Sequence, residues 1–264
     1  MHPAPKRLVS LVPSTTESVC VLGAASSLVG CTRYCIEPAP QLAGVVRVGG
    51  TKNPSCETIV RLAPDLVLAN AEENRAEHIE WLGRRVPVLV QTPRTVVEAA
   101  SDLRTLAERL DLLEAALPIL LRIEAELAAA SVAEAERAPL RVFYAIWPRP
   151  WMGVNHDTFL HDVLRIAGAD NVCAGFAARY PEVSEEFLRA QEPDAVLLPS
   201  EPWPFGPADR ATLARSGVFG RAALELCDGR DYCWHGVRMA FGLGRARQLV
   251  ARLRRPGRDA SSDR

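Results

Sequence analysis

Glu57-Thr58-Ile59-Val60-Arg61-Leu62-Ala63-Pro64-Asp65-Leu66-Val67-Leu68 and Glu186-Phe187-Leu188-Arg189-Ala190-Gln191-Glu192-Pro193-Asp194-Ala195-Val196-Leu197-Leu198 are two versions of one pattern. Each reads as a helix, a Pro-Asp turn and a buried apolar strand. An acidic residue follows each copy at the same offset, Glu72 after Pro64 and Glu201 after Pro193. Because a Pro-Asp turn before a strand is common, the echo gains its force from what separates the copies. From Thr95 to Glu136 glycine is absent, and Leu103, Leu106, Leu110, Leu113, Leu117 and Leu120 recur at three- and four-residue intervals. That is helical periodicity. Two helices are expected, broken between Leu110 and Pro118, since proline suits the first turn of a helix and not its interior. The second, Pro118 to Glu136, would be about 28 Å long at 1.5 Å per residue. It is long enough to join two lobes.

Outward from the echo, strands and helices alternate. Leu8-Val9-Ser10-Leu11 reads as a buried strand, and Ser14-Thr15-Thr16-Glu17 as a capping box opening a helix that stops at Gly23. Leu28–Thr32 and Val88–Val90 are further strands, with a polar helix over Asn74–Leu82. The stretch from Val48 to Ser55 is a loop by its Gly, Asn and Pro content. After Pro139 come a strand over Arg141–Ile146, a helix over Thr158–Ala167 capped by Asp157, a helix capped by Ser184, and a last helix from about Val237 to Leu253. The fold class is therefore α/β: two three-layer α/β lobes with parallel sheets, joined by a long backbone helix, with a ligand cleft between the lobes. The expected boundaries are 1–95 for the first lobe, 96–138 for the connecting helices and 139–255 for the second lobe, with 256–264 a disordered tail.

With 48% hydrophobic residues among 264, the chain is too apolar for intrinsic disorder. No apolar run reaches the roughly 18–20 residues of a membrane span. A net charge of −1 offers no basic face to nucleic acid. The seven cysteines are odd in number and irregularly spaced, which suits free thiols. Only seven residues precede Leu8, with no basic segment, apolar core and cleavage site among them. A cytoplasmic location is expected on that ground. A periplasmic or cell-surface location is the alternative if the true start lies upstream.

These motifs, taken in order, resemble the class III periplasmic substrate-binding proteins, which capture cobalamin, siderophores or haem for ABC importers. The residues that carry the likeness are Leu8 to Glu17, Leu22-Gly23-Ala24, Leu28-Val29-Gly30, Thr32 to Cys35, Gly49 to Pro54 and Leu62 to Ala69. In the second half they are Gly168 to Val172 and Pro193 to Val196. The vitamin B12-binding branch is the most similar. The resemblance implies a helical-backbone fold and a cleft lined by the loops after the strands. In the first lobe these contribute Pro13, Ser14, Tyr34, Gly50, Thr51 and Asn70. In the second they contribute Trp147, Trp151, Tyr180, Trp203 and Trp234, with Tyr232 beside it. Aromatic faces suit a corrin or another flat macrocycle. It also implies that Glu72 and Glu201 dock the two lobes onto arginines of a permease. The expected partners are a small-molecule metal chelate and an ABC permease, with no nucleic acid, the protein being a monomer without an intrinsic cofactor.

Chemistry beyond binding has little support in the sequence. No GxSxG, P-loop or dinucleotide motif occurs, and no catalytic residues are assigned. His156 and His161 are five apart, poor spacing for a shared metal. His235 or Cys233, in Tyr232-Cys233-Trp234-His235, could supply an axial ligand to a bound metal. Two further readings stay open: a leaderless cytosolic carrier or sensor of a corrinoid or another metal chelate, and an enzyme that processes a metal chelate.

Overall fold

The computed structural model describes residues 4–134 and 139–254. The expected tail over 256–264 lies outside them. In chain order the elements are β1 (Leu8–Ser10), α1 (Pro13–Val21), β2 (Leu28–Cys31), β3 (Val46–Arg47), α2 (Cys56–Arg61), β4 (Leu66–Asn70), α3 (Ala76–Gly83), β5 (Val88–Gln91), α4 (Val96–Arg109) and α5 (Leu113–Glu134). Then come β6 (Leu140–Tyr144), β7 (Trp147–Pro148), β8 (Trp151–Met152), α6 (Phe159–Ile166), β9 (Ala169–Asn171), β10 (Glu182–Val183), α7 (Glu185–Gln191), β11 (Ala195–Pro199), α8 (Pro207–Ser216), β12 (Ala223–Cys227), α9 (Arg230–Cys233) and α10 (Met239–Leu253).

The chain forms two compact units. One comprises residues 1–123 with 234–240, the other 124–233 with 241–264. The return of 234–240 to the first unit departs from a division made along the sequence. A short segment far from α1 in sequence gives no local sign of where it packs.

The first unit holds a five-stranded parallel sheet in the order β3-β2-β1-β4-β5. Both faces are buried, as parallel sheets require. Leu8, Leu66 and Leu68 pack on one side, and Val9, Val67 and Ala69 on the other. The second unit holds a four-stranded parallel sheet in the order β12-β11-β6-β9, beside a small antiparallel sheet of β10, β8 and β7. In each unit the first strand lies between its successor and the strand of the echoed motif.

The echo has a physical cause. Asp65 Oδ2 accepts from the backbone N–H of Lys6 (2.8 Å) and Arg7 (3.0 Å), and Asp194 Oδ2 from that of Arg141 (2.8 Å). Arg7 Nη2 donates to Leu62 O (2.6 Å), and Arg141 Nη2 to Gln191 O (2.8 Å). Those two carbonyls stand at the same place before their Pro-Asp turns. The residues immediately before the prolines, Ala63 and Glu192, both adopt φ of 45°. Each motif thus clasps the end of its helix to the start of the central strand.

Three local expectations need correction. The capping box at Ser14 does not form: Val12 is the N-cap, Pro13 takes the first turn, and no side chain caps the helix. The fixed φ of proline suits that first position. Ser14 and Glu17 are left for other partners. Thr158, not Asp157, caps α6, its hydroxyl accepting from His161 N–H at 3.2 Å. And α5 begins at Leu113, with Pro118 inside it. A proline in the sixth position leaves the Glu114 carbonyl without its helical donor, a loss of one bond close to the helix start.

Candidate functional site

Open α/β sheets bind ligands outside the carboxyl ends of their strands, where the strand order reverses. In the first unit that point lies between β1 and β4, in the second between β6 and β11.

At the first, β1 runs through Leu11 and Val12 into α1, whose first turn carries Pro13 and Ser14. β4 ends on Asn70, which organises the loop after it. Asn70 Oδ1 accepts from Glu72 N–H (2.7 Å) and Glu73 N–H (3.2 Å). With its oxygen so occupied, its Nδ2 faces His235 Nε2 at 3.5 Å. Ser14 Oγ stands 3.4 Å from the same ring nitrogen. Asn74, which sequence reasoning missed, ties the loops together. It accepts from Asn70 N–H (2.9 Å) and donates to Thr51 O (3.0 Å) and Leu11 O (3.4 Å). The one signal available was a second asparagine four residues beyond the strand end. Lys52 Nζ donates to Glu72 O, holding the Gly50-Thr51 loop to the β4 loop from outside. Gly49, at φ 107°, is where a Cβ would meet Asn53 O at 2.7 Å, so the turn accepts only glycine. Tyr34 is half exposed, with the Arg33 guanidinium 5.0 Å from its ring centroid.

His235 enters this point from the returning segment 234–240 and is buried. Burial pushes its pKa down to about 4, so the imidazole is neutral at pH 7. Asn70 Nδ2 is a donor, which makes Nε2 the acceptor nitrogen. To ligate a metal there, His235 would have to give up Asn70 and Ser14. Among the described residues no three His, Cys, Asp or Glu side chains are grouped to hold a metal ion. His156 Nδ1 and His161 Nδ1 face separate partners, Ala174 O and Asn171 Nδ2.

At the second point, β6 leads to Trp147 and β11 to Ser200 and Glu201. Trp147, 39% exposed, meets the half-buried Trp203 edge to face, their ring centroids 4.9 Å apart at 74°. Tyr180 is exposed in the loop before β10. Trp151 differs from its expected place. It is buried, edge-on to Phe143 (6.1 Å) and Phe219 (5.1 Å) and stacked on Phe205 at 6.4 Å. The β7–β8 pairing, Trp147 opposite Met152 and Pro148 opposite Trp151, is the reason: one indole is left outside and the other enters the core. Trp234 is also buried, under the Arg238 guanidinium at 5.1 Å, and Tyr232 packs against Tyr144 at 5.2 Å. None of these three rings is a face open to solvent. Glu201 is half-buried and its Oε1 accepts from Cys233 Sγ at 3.1 Å. Glu72 is half-buried at the head of its loop.

A cavity of about 560 Å³ lies elsewhere in the second unit, lined by residues that include His161, Arg165, Arg247 and Arg254. It contains none of the residues expected to meet ligand and sits beside the start of β9, away from the carboxyl ends. All seven cysteines are free thiols. Among the described residues no helix is long and apolar enough to cross a membrane.

Comparison with known proteins agrees with this arrangement. The chain is 27% identical over 199 residues to a vitamin B12-binding protein of Photorhabdus laumondii, covering 75% of this chain and 72% of that one. To the vitamin B12-binding protein of Salmonella typhi it is 30% identical over 202 residues, 75% of this chain and 73% of that one. The solved periplasmic vitamin B12-binding protein BtuF of Vibrio cholerae shares the fold, with a TM-score of 0.80 at 21% identity, covering 94% of this chain and 98% of the other. A periplasmic heme-binding protein from Pseudomonas aeruginosa superposes with a TM-score of 0.79 at 25% identity over 93% and 92% of the two chains. Residues 8–211 match the periplasmic binding protein family, a family of substrate-binding proteins and not of enzymes. The chain belongs to that family.

Proposed function

We propose that this protein captures a corrinoid, cobalamin being the first candidate, as the binding component of an ABC importer. The observation that carries the reading is the Trp147–Trp203 pair, an aromatic platform left open at the carboxyl ends of the second sheet. It is supported by relatives at 27% and 30% identity that are vitamin B12-binding proteins. Trp147, Trp203 and Tyr180 offer ring faces to a flat macrocycle at small entropic cost. In the first unit Tyr34 and Thr51 offer hydroxyl groups at the carboxyl ends of that unit's own sheet, and Ser14 and Asn70 lie buried behind them against His235. Pro13 and Gly50 shape the backbone beside them. Trp151 and Trp234 act as packing beneath these loops. Titration with cyanocobalamin is expected to quench tryptophan emission to saturation at one equivalent, with the Trp147→Phe, Trp203→Phe double variant losing most of the change. Emission that stays constant through the titration would count against the reading.

Haem is the second reading, favoured by the neutral imidazole of His235, which has the protonation state an axial ligand needs. Binding of haem through His235 would require Nε2 to leave Ser14 and Asn70. A Soret shift that disappears in His235→Ala is its signature.

In this reading the protein works in the periplasm, and Glu72 and Glu201, half-buried carboxylates that follow the echoed strands, are its contacts with the permease, since carboxylates steer and orient docking onto arginines. The Glu72→Arg, Glu201→Arg variant is expected to bind cyanocobalamin as wild type does and to fail to stimulate the ATPase of the reconstituted transporter. Stimulation at the wild-type level would remove this assignment.

A further inference from the structure

The segment Trp234-His235-Gly236-Val237-Arg238 is held to the first unit at nearly every residue. Ser18 Oγ donates to Ser14 O (2.9 Å) and accepts from Val237 N–H (3.2 Å). Gly236 sits at φ 87°, and a Cβ there would run into Ser18 Oγ. Arg122 Nε donates to Ala240 O at 2.6 Å. The strongest attachment is ionic. Arg238 Nη2 and Nε donate to the two oxygens of Glu17 at 2.5 and 3.1 Å, with the side chains only 14% and 12% exposed. The same guanidinium covers the Trp234 ring. A two-point, largely desolvated arginine–carboxylate contact fixes direction as well as distance. Glu17, Ser18 and Ser14 share one face of α1 at helical spacing. Ser14 touches His235, Ser18 holds Gly236 and Val237, and Glu17 holds Arg238, so the strap lies along the helix in register.

We propose that Glu17 is a positioning residue: by holding Arg238 it sets the register of the 234–240 strap on α1 and thereby places His235 at the carboxyl ends of β1 and β4. The part that concerns ligand rests on the proposed function, and the placement of His235 does not. A loosened strap would let water reach the imidazole, and the ring would recover its ordinary affinity for protons.

The test follows the His235 imidazole by NMR through a pH titration, in wild type, Glu17→Ala, Glu17→Gln and the swapped pair Glu17→Arg with Arg238→Glu. In wild type the ring is expected to remain neutral down to about pH 5, given its pKa of about 4. In Glu17→Ala the midpoint is expected to move up toward 6.5, the unperturbed value. Cyanocobalamin affinity is expected to fall about tenfold with it, the scale of one lost orienting contact. The swapped pair should restore both. Glu17→Gln keeps the side chain's size but replaces one of the two acceptor oxygens that Arg238 uses with an NH2 donor, so the two-point contact is lost and the midpoint is expected to rise in the same direction even if Glu17→Ala does not fold. A midpoint unchanged in a folded Glu17→Gln or Glu17→Ala protein overturns the proposal, because a merely stabilising contact would lower the melting temperature and leave the ring where it was. If wild type binds no cyanocobalamin, the ligand reading fails while the titration still decides the role of Glu17.

Discussion

Trp151→Ala is expected to lower the unfolding free energy by about 3–5 kcal/mol, the range for truncating a large buried aromatic. Its indole packs against three rings, Phe143, Phe205 and Phe219, so removal opens a cavity that rigid neighbours cannot fill. Trp203→Ala is expected to behave in the opposite way. That residue is half-buried and meets the exposed Trp147, so its loss should cost little stability and weaken ligand binding by about 1–3 kcal/mol. Urea unfolding of the two variants, paired with cyanocobalamin titration, separates the roles. If Trp151→Ala unfolded at the wild-type denaturant midpoint, the packing assigned to the second unit would be wrong.

The second large effect is on pH dependence. His235 has a folded pKa of about 4 because burial penalises the charged ring, against an unfolded value near 6.5. Between those values the unfolded chain binds the extra proton, so acid favours unfolding. The stability associated with the neutral ring is fully present above pH 6.5 and declines as pH falls to 4, by about 3 kcal/mol in all. His235→Gln lacks this titration. The stability difference between wild type and His235→Gln should therefore change by about that amount from pH 7 to pH 4, while carboxylates titrating in the same window cancel in the comparison. A difference independent of pH would show that the ring is solvated.

What was legible in the sequence follows the range of the interactions responsible. The Pro-Asp echo was visible because its helix, turn and strand are contiguous, and Asp65 and Asp194 clasp the starts of β1 and β6 through the N–H groups of Arg7 and Arg141 in the same way. β1, β2, β4, β5, β6 and β11 are legible as apolar runs, whereas β3 (Val46-Arg47), β9 (Ala169-Asp170-Asn171) and β12 (Ala223 to Cys227) carry no such run and are strands because of the neighbours they pair with. Asn70 ends β4 and Ser14 opens α1 just beyond β1, which is why the sequence puts both near a sheet end. The strap could not. Glu17 looked like a capping residue from its neighbours alone, and its partner Arg238 is distant in sequence. Asn74 gave a weak signal, since its bonds to Thr51 and Leu11 reach across three loops. The tryptophans of the β7–β8 hairpin show the same limit. Position after a strand places Trp147 and Trp151 near the sheet end, but only the β7–β8 pairing decides which ring stays outside.

The central claim, that a corrinoid is the ligand, is tested most directly by isothermal titration calorimetry of the purified protein with cyanocobalamin, using hemin and a ferric siderophore as competitors. The expected result is saturable one-to-one binding of cyanocobalamin, weakened in Trp203→Ala and unaffected by the siderophore. Heats no larger than dilution for cyanocobalamin, with saturable binding of hemin or of the siderophore, would contradict it.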